Sequence, residues 1–162
     1  MFGMDKPPIC TDPKHHVHHA HDYVSEVAKA CAERGLKLTA LRADVLQLIA
    51  DAKRPVKAYD LLEQISASRA TSVPTTVYRA LDFLLENGFI HKLASINAFM
   101  ACHHPSVPHT VPFLICDRCH TAIEMEYERI GNLLDQKART LGFSPRAQTL
   151  EVHGTCKNCS NA

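Results

Sequence analysis

Residues 72–102, SVPTTVYRALDFLLENGFIHKLASINAFMAC, decide how the N-terminal half of the chain folds. Residues 72–89 predict an amphipathic helix. Pro74 suits its first turn, where a missing N–H costs nothing, and Gly88 marks its stop. Val77, Leu81, Leu84 and Leu85 fall on one face. At about 100° per residue, Thr75, Tyr78, Arg79 and Asp82 share the opposite face. Behind Gly88, the strand-like runs FIHKLA and NAFMAC flank Ser95 and Ile96, which is the pattern of a hairpin. Upstream, VKAYDLLEQISAS predicts a short helix with Leu61, Leu62 and Ile65 inward, and residues 69–72 a turn. A short helix, a turn and a helix with polar groups near its start follow the order of a helix-turn-helix, whose second helix enters the major groove. A plain helical hairpin fits the helices equally well. The β-hairpin directly behind them favours a winged helix.

Working outward, residues 1–21 read as a flexible tail, broken by Pro7, Pro8 and Pro13 and rich in histidine from His15 to His21. Either a loose metal-gathering arm or a plain solvated lead-in fits it. From Asp22 the pattern is helical, with Val24, Val27, Ala28 and Cys31 as the inward stripe and Gly35 as the stop. Cys31 there reads as a packed small hydrophobe. Thr39 then caps a second helix carrying Leu41, Val45, Leu48 and Ile49. Past Cys102 the character changes. Residues 103–111 are a Pro- and His-rich connection, and residues 112–162 mix strands (FLIC, TAIEMEY, AQTLEVHG) with an amphipathic helix from Glu128 to Leu141. That helix places Ile130, Leu133, Leu134 and Ala138 inward. The fold class is therefore α+β: a helical domain with a wing over residues 22–102, a connection over 103–111, and a small α/β domain over 112–162.

The chain has 162 residues, 46% of them hydrophobic, and a formal net charge of +1. No basic excess advertises a polyanion, so any nucleic-acid contact must come from local geometry. Trp is absent and aromatics are few, which disfavours stacking platforms for single strands. No secretory signal is evident, and no apolar run approaches the roughly 20 residues of a membrane span. The expected compartment is the cytoplasm, with no membrane partner. In that reducing setting, paired Cys-x-x-Cys motifs are metal sites more often than disulfides.

Two such motifs are present, Cys116-Asp-Arg-Cys119 and Cys156-Lys-Asn-Cys159. Four thiolates in two pairs fit a closed tetrahedral structural zinc, with two redox pairs as the alternative. Between His91 and Glu124 lie five of the eleven histidines and three of the seven cysteines. His91, Cys102, His103, His104, His109, His120, Glu124 and, further on, His153 remain to be explained, with His103, His104, His120 and His153 read as surface or locally hydrogen-bonded imidazoles. His91 and Cys102 sit at the open end of the hairpin, His109 in the connection, and Glu124 on a strand beyond it. Those four would make an N₂SO site clamping the two halves, with the thiolate favouring zinc over iron(II) or manganese.

The runs AYDLLEQ, PTTVYRALDFLLENGFIHKLASINAF, HTVPFLICDRCHTAIEME and EVHGTCKNC resemble the ferric uptake regulator family, and within it the zinc uptake regulators. The resemblance spans Asp22 to Cys159. It implies a winged-helix domain hinged to an α/β dimerisation domain. The implied function is that of a zinc-responsive repressor whose dimer binds inverted-repeat DNA operators of zinc-uptake genes, with one or two dimers per operator, and not that of an enzyme. It matches Cys116, Cys119, Cys156 and Cys159 to structural zinc, and His91, Cys102, His109 and Glu124 to regulatory zinc, two ions per subunit. It matches Tyr59 and Arg79 to DNA contacts, with Thr75 and Tyr78 beside them. Arg34, Lys37, Arg42, Lys57 and Lys92 are candidate phosphate contacts. His153 is a candidate for a third, weaker site. Ser66 departs from a basic position that pairs neighbouring dimers, and the HHHDH-like ligand cluster of the ferric members is absent. The alternatives are an iron or manganese sensor of the same family, a zinc carrier using the His-rich tail, or a zinc hydrolase with Glu124 as base.

Overall fold

The computed structural model describes residues 20–69, 74–102, 105, 112–125, 128–145 and 149–160. The expected turn beyond Arg69, most of the 103–111 connection with His109, and residues 1–19 of the tail lie outside these. Ala20 and His21, assigned above to the tail, belong to the first helix.

The N-terminal half runs α1 (Ala20–Glu33), α2 (Ala40–Asp51), β1 (Val56–Lys57), α3 (Ala58–Ser68), α4 (Pro74–Glu86), β2 (Ile90–Leu93) and β3 (Ala98–Ala101). Two helices end as their glycines foretell. Gly35 and Gly88 have φ of 67° and 74°, and the amides after them bond back to Cys31 O at 2.8 Å and Leu84 O at 2.9 Å. These 6→1 bonds close Schellman caps that a Cβ would strain. The side chain of Thr39 accepts from the amide of Arg42 and starts α2. The wing is antiparallel, with His91 opposite Met100 and Leu93 opposite Ala98. β1 adds a third strand, pairing Val56 with Phe99; two residues are too few to show a period in sequence.

The helices bury Val27, Val45, Leu46, Leu61, Ile65, Val77, Leu81, Leu84 and Phe89 in one core. The inward face of α1 differs from the expected stripe. Tyr23 and Ala30 are buried with Val27 and Cys31, Val24 is half-buried, and Ala28 is exposed. The ring of Tyr23 has more apolar surface to remove from water than the methyl of Ala28, and its hydroxyl donates to Phe89 O inside the core.

The C-terminal half runs β4 (Pro112–Cys116), β5 (Ala122–Glu124), α5 (Glu128–Thr140), β6 (Leu150–Gly154) and a last turn, α6 (Lys157–Ser160). Its sheet has the order β5-β4-β6, antiparallel between β4 and β5 and parallel between β4 and β6. A parallel neighbour needs a crossover, and α5 supplies it. Contrary to expectation, Leu133 and Leu134 of α5 are 57% and 44% exposed. Leu114 and Val152, partners in register on β4 and β6, are exposed too. The other face of β4 turns inward: Phe113 and Ile115 pack against Leu93 of the wing, ringed by Ile96, Met100 and Ala122. The wing therefore rests on the C-terminal sheet.

Candidate metal centres and nucleic-acid face

Parallel pairing of β4 with β6 sets Cys116 beside Gly154, so both Cys-x-x-Cys motifs leave the same end of the sheet. The four Sγ atoms of Cys116, Cys119, Cys156 and Cys159 lie within 4.8 Å of one another. Cys119 and Cys156 are 3.7 Å apart. Zn–S bonds of about 2.3 Å in a tetrahedron require S···S edges of about 3.8 Å, whereas a disulfide needs about 2 Å. The donor set fits zinc.

Among themselves the thiols divide unequally. Backbone N–H groups of Cys119 and Cys156 lower Cys116 to about 6, the second being the Cys156 amide at 3.3 Å from Sγ. Contact with Thr121 lowers Cys119 as well. Hydrogen bonds to the sulfurs of Cys156 and Cys119 hold the proton on Cys159, which rises to about 12. A divalent cation bound by these thiols would displace the protons that remain on them.

The second cluster is built from three strands of both halves. Cys102 follows β3, its amide donating to Phe89 O at 3.1 Å and closing the hairpin mouth. Glu124 ends β5 opposite Phe113. His91, on β2, sets its ring edge-on against Phe113 with centroids 5.1 Å apart. The ligand atoms of His91, Cys102 and Glu124 lie within 4.8 Å of one another, with His91 Nε2 at 3.5 Å from Glu124 Oε1.

Cys102 is 1% exposed and Glu124, the one buried charged side chain among the described residues, 5%. Burial disfavours the imidazolium of His91, but hydrogen bonds to Cys102 and Glu124 and their charges outweigh it and push His91 up to about 9. A buried carboxylate requires a compensating cation, as would the thiolate of Cys102. A proton on His91 supplies one positive charge; a divalent ion would supply two and take an N, an S and an O donor at once. His109, the expected fourth ligand, lies outside the described residues. Tyr23, which no signal in the sequence singled out, holds the carbonyl of Phe89 from behind.

The remaining histidines divide. His120 is exposed and belongs to neither cluster. His153 has Nδ1 at 2.9 Å from Asp117 Oδ1 and Nε2 at 3.0 Å from Ser95 Oγ. Both its ring nitrogens are thus engaged, and no third cluster of metal ligands forms among the described residues.

Tyr59 on α3 is 75% exposed, and Thr75, Tyr78 and Arg79 project from the start of α4 away from its buried Val77, Ala80, Leu81 and Leu84. All four side chains are thus exposed on the two helices of the helix-turn-helix. Lys37, Lys57 and Lys92 are exposed. Arg34 and Arg42, expected to be available for phosphates, are occupied instead. Arg34 donates to Asn87 O and Pro105 O and lies over Phe89, while Arg42 stacks on Phe83 at 3.6 Å.

Fold and donor sets together define a class: a winged-helix protein whose wing meets a small α/β unit at a cluster of side chains able to hold a metal ion. The chain belongs to the ferric uptake regulator family, whose model matches residues 33–153. It is 39% identical over 139 residues to the zinc uptake regulation protein of Escherichia coli (strain K12), covering 85% of this chain and 81% of that one. Among solved structures it is similar to a zinc uptake regulator complexed with zinc and DNA, at 38% identity and a TM-score of 0.85, covering 88% of this chain and 96% of the other. It is also similar to holo XcZur, at 58% identity and a TM-score of 0.82, covering 87% and 99%. The apo form of XcZur, at 57% identity and covering 89% and 99%, overlays with a TM-score of only 0.53. Identity being equal, that contrast is one of conformation. The halves of the chain are the winged-helix and α/β dimerisation domains of the family.

Proposed function

We propose that the chain is a zinc-responsive transcriptional repressor whose zinc-loaded homodimer binds inverted-repeat operators of zinc-uptake genes and blocks transcription. The observation that carries this reading is the meeting of His91, Cys102 and Glu124 within 4.8 Å at the seam between the wing and the dimerisation sheet. Each subunit holds two zinc ions. Cys116, Cys119, Cys156 and Cys159 keep the first, which maintains the fold. His91, Cys102 and Glu124, with His109 from the connection, hold the second, which is regulatory. Bound there, zinc supplies divalent charge that ties strands of both halves together.

The chain's own residues do the rest. His91 and Cys102 fix the mouth of the wing, Glu124 anchors it to β5, and the wing carries α4 with it. In a dimer, two α4 helices so fixed match successive major grooves. Arg79 is the candidate for a bidentate contact with guanine, worth about 1–3 kcal/mol, and Tyr59, Thr75 and Tyr78 are the further candidates for DNA contacts. Leu114 and Val152 on the sheet and Leu133 and Leu134 on α5 are exposed apolar side chains that a second copy would cover. The boundaries that follow are a tail to residue 19, a winged-helix domain over 20–102, a hinge over 103–111 and a dimerisation domain from 112. The reading makes this a cytoplasmic protein; among the described residues no helix is long and apolar enough to cross a membrane.

The thiolate of Cys102 favours zinc over iron(II) or manganese, whose sites are richer in oxygen and nitrogen. A hydrolase would need an open coordination position, which four protein ligands do not leave. A carrier relying on its tail would lose capacity when residues 1–19 are deleted; a repressor keeps zinc-dependent DNA binding. The test is a mobility shift on the promoter of a zinc-uptake gene at a series of buffered free-zinc levels. Wild type should need zinc, His109→Ala should need far more, and Arg79→Ala should stay folded and zinc-bound without shifting the DNA. DNA binding that persists with the structural ion alone would refute the reading.

A further inference from the structure

Outside the two metal clusters, a second polar bridge joins the wing to the C-terminal sheet, at the opposite end of the hairpin. The wing turns over residues 94–97, helped by Asn97 at φ 47°. There the backbone amides of Ala94 and Ser95 both donate to the Glu151 carboxylate, at 2.7 Å to Oε1 and 3.1 Å to Oε2. Two successive amides closing on one anion form a nest. The Glu151 side chain is only 10% exposed. Burial works against its ionised form, but the donors of Ser95 and Ala94 more than compensate and hold the carboxyl below its ordinary pKa. These are charge-assisted bonds from two exposed backbone amides to a carboxylate that is itself little exposed, and such bonds are stronger than neutral ones.

The strand pattern places this bridge on the correct face. Glu151 and His153 alternate with the exposed Val152, and in register they lie beside Phe113 and Ile115, the side chains that pack against the wing. His153 extends the bridge, with Nε2 at 3.0 Å from Ser95 Oγ and Nδ1 at 2.9 Å from Asp117, inside the first Cys-x-x-Cys turn. The hairpin is thus held at both ends, at its mouth by His91 and Cys102 and at its tip by Glu151. One point of attachment leaves a body free to pivot, whereas two fix its orientation.

We propose that Glu151, supported by His153, is a positioning residue that latches the wing tip to the dimerisation sheet and so sets the zinc level at which DNA binding switches on. This rests on the zinc-responsive reading above. The latch forms only when the halves are docked as they are here, and it needs no metal. It therefore adds to the docked state whatever the zinc level, and by linkage less zinc is then required to fill that state.

The experiment compares wild type, Glu151→Gln and Glu151→Ala in the full-length protein, by the mobility shift at buffered zinc and by amide hydrogen exchange at Ala94 and Ser95. Glu151→Ala should need about tenfold more free zinc for half-maximal DNA binding, the worth of a bond to a charged group. Glu151→Gln, which keeps one acceptor of the same shape, should need about threefold more, in keeping with a neutral bond. At saturating zinc both should reach the wild-type DNA affinity and retain the structural zinc, which a variant that merely damaged the fold would not. The two amides should lose protection in Glu151→Ala. A zinc-responsive wild type whose set point moves less than twofold in Glu151→Ala, or unchanged protection of both amides, overturns the latch. A wild type whose DNA binding ignores zinc overturns the functional reading, and the set-point role with it, even if the amides respond.

Discussion

The two halves are held together by different means. The winged-helix half owns a core, with Val27, Val45, Leu46, Leu61, Leu84 and Phe89 almost wholly removed from water. The dimerisation half has almost none. Among its described residues the buried apolar side chains are those at the start and inner face of β4, and α5 buries no side chain fully while showing Leu133 and Leu134 to solvent. A sheet of three short strands with one helix cannot offset its conformational entropy with so little burial. Four thiols at one end, the wing on one face and an apolar surface for a second copy on the other make up the deficit. On the proposed reading, one half is held by its own core, and the other is conditional on metal and partner. A sensor needs that asymmetry, because only the conditional half can transmit the presence of an ion.

Breaking the staple should have the largest effect. Structural zinc contributes about 10–16 kcal/mol in small zinc-dependent folds, so Cys116→Ser should lose one zinc per subunit and unfold residues 112–160. The helices of the first half should survive, which metal analysis with circular dichroism and heteronuclear NMR would show. A variant that keeps the β4–β6 amides protected would contradict the comparison. Next comes the core of the independent half: Leu84→Ala should cost about 2–5 kcal/mol in denaturant unfolding and leave zinc content untouched. A smaller effect is expected at the partner face, where Leu133→Glu should weaken self-association about tenfold to a hundredfold by sedimentation, by burying a charge in an apolar contact, without unfolding either half.

Much of this organisation was legible in the chain. The caps at Gly35, Thr39 and Gly88 stand where local chemistry requires them, and the wing follows α4 because strand periodicity resumes at once. The Cys-x-x-Cys pairs announced their site by type and spacing. What was hidden depended on long-range pairing. Val56 and Lys57 form a strand only because Phe99 and Ala98 lie beside them. Tyr23 turns inward because Phe89 O is there to accept its hydroxyl. Leu133 and Leu134 have an amphipathic pattern that says they will be covered, though not whether by this chain or by another. Spacing could not separate His91, Cys102 and Glu124 from the neighbouring histidines without the family resemblance; the registers of β2, β3, β4 and β5 bring those three together. His153 is a locally hydrogen-bonded imidazole, its ring nitrogens engaged with Asp117 and Ser95, partners that spacing alone did not name.

The central claim is that the cluster at the seam controls how the two halves are docked. Small-angle X-ray scattering on the dimer tests it most directly, with zinc confined to the four-cysteine site and then with free zinc raised until the second site fills. Wild type should pass from a broad distribution of dimensions to the single compact profile calculated from the docked structure. Cys102→Ser should stay broad at the same free zinc while keeping its structural ion. Identical profiles for wild type before and after the second zinc would contradict the account.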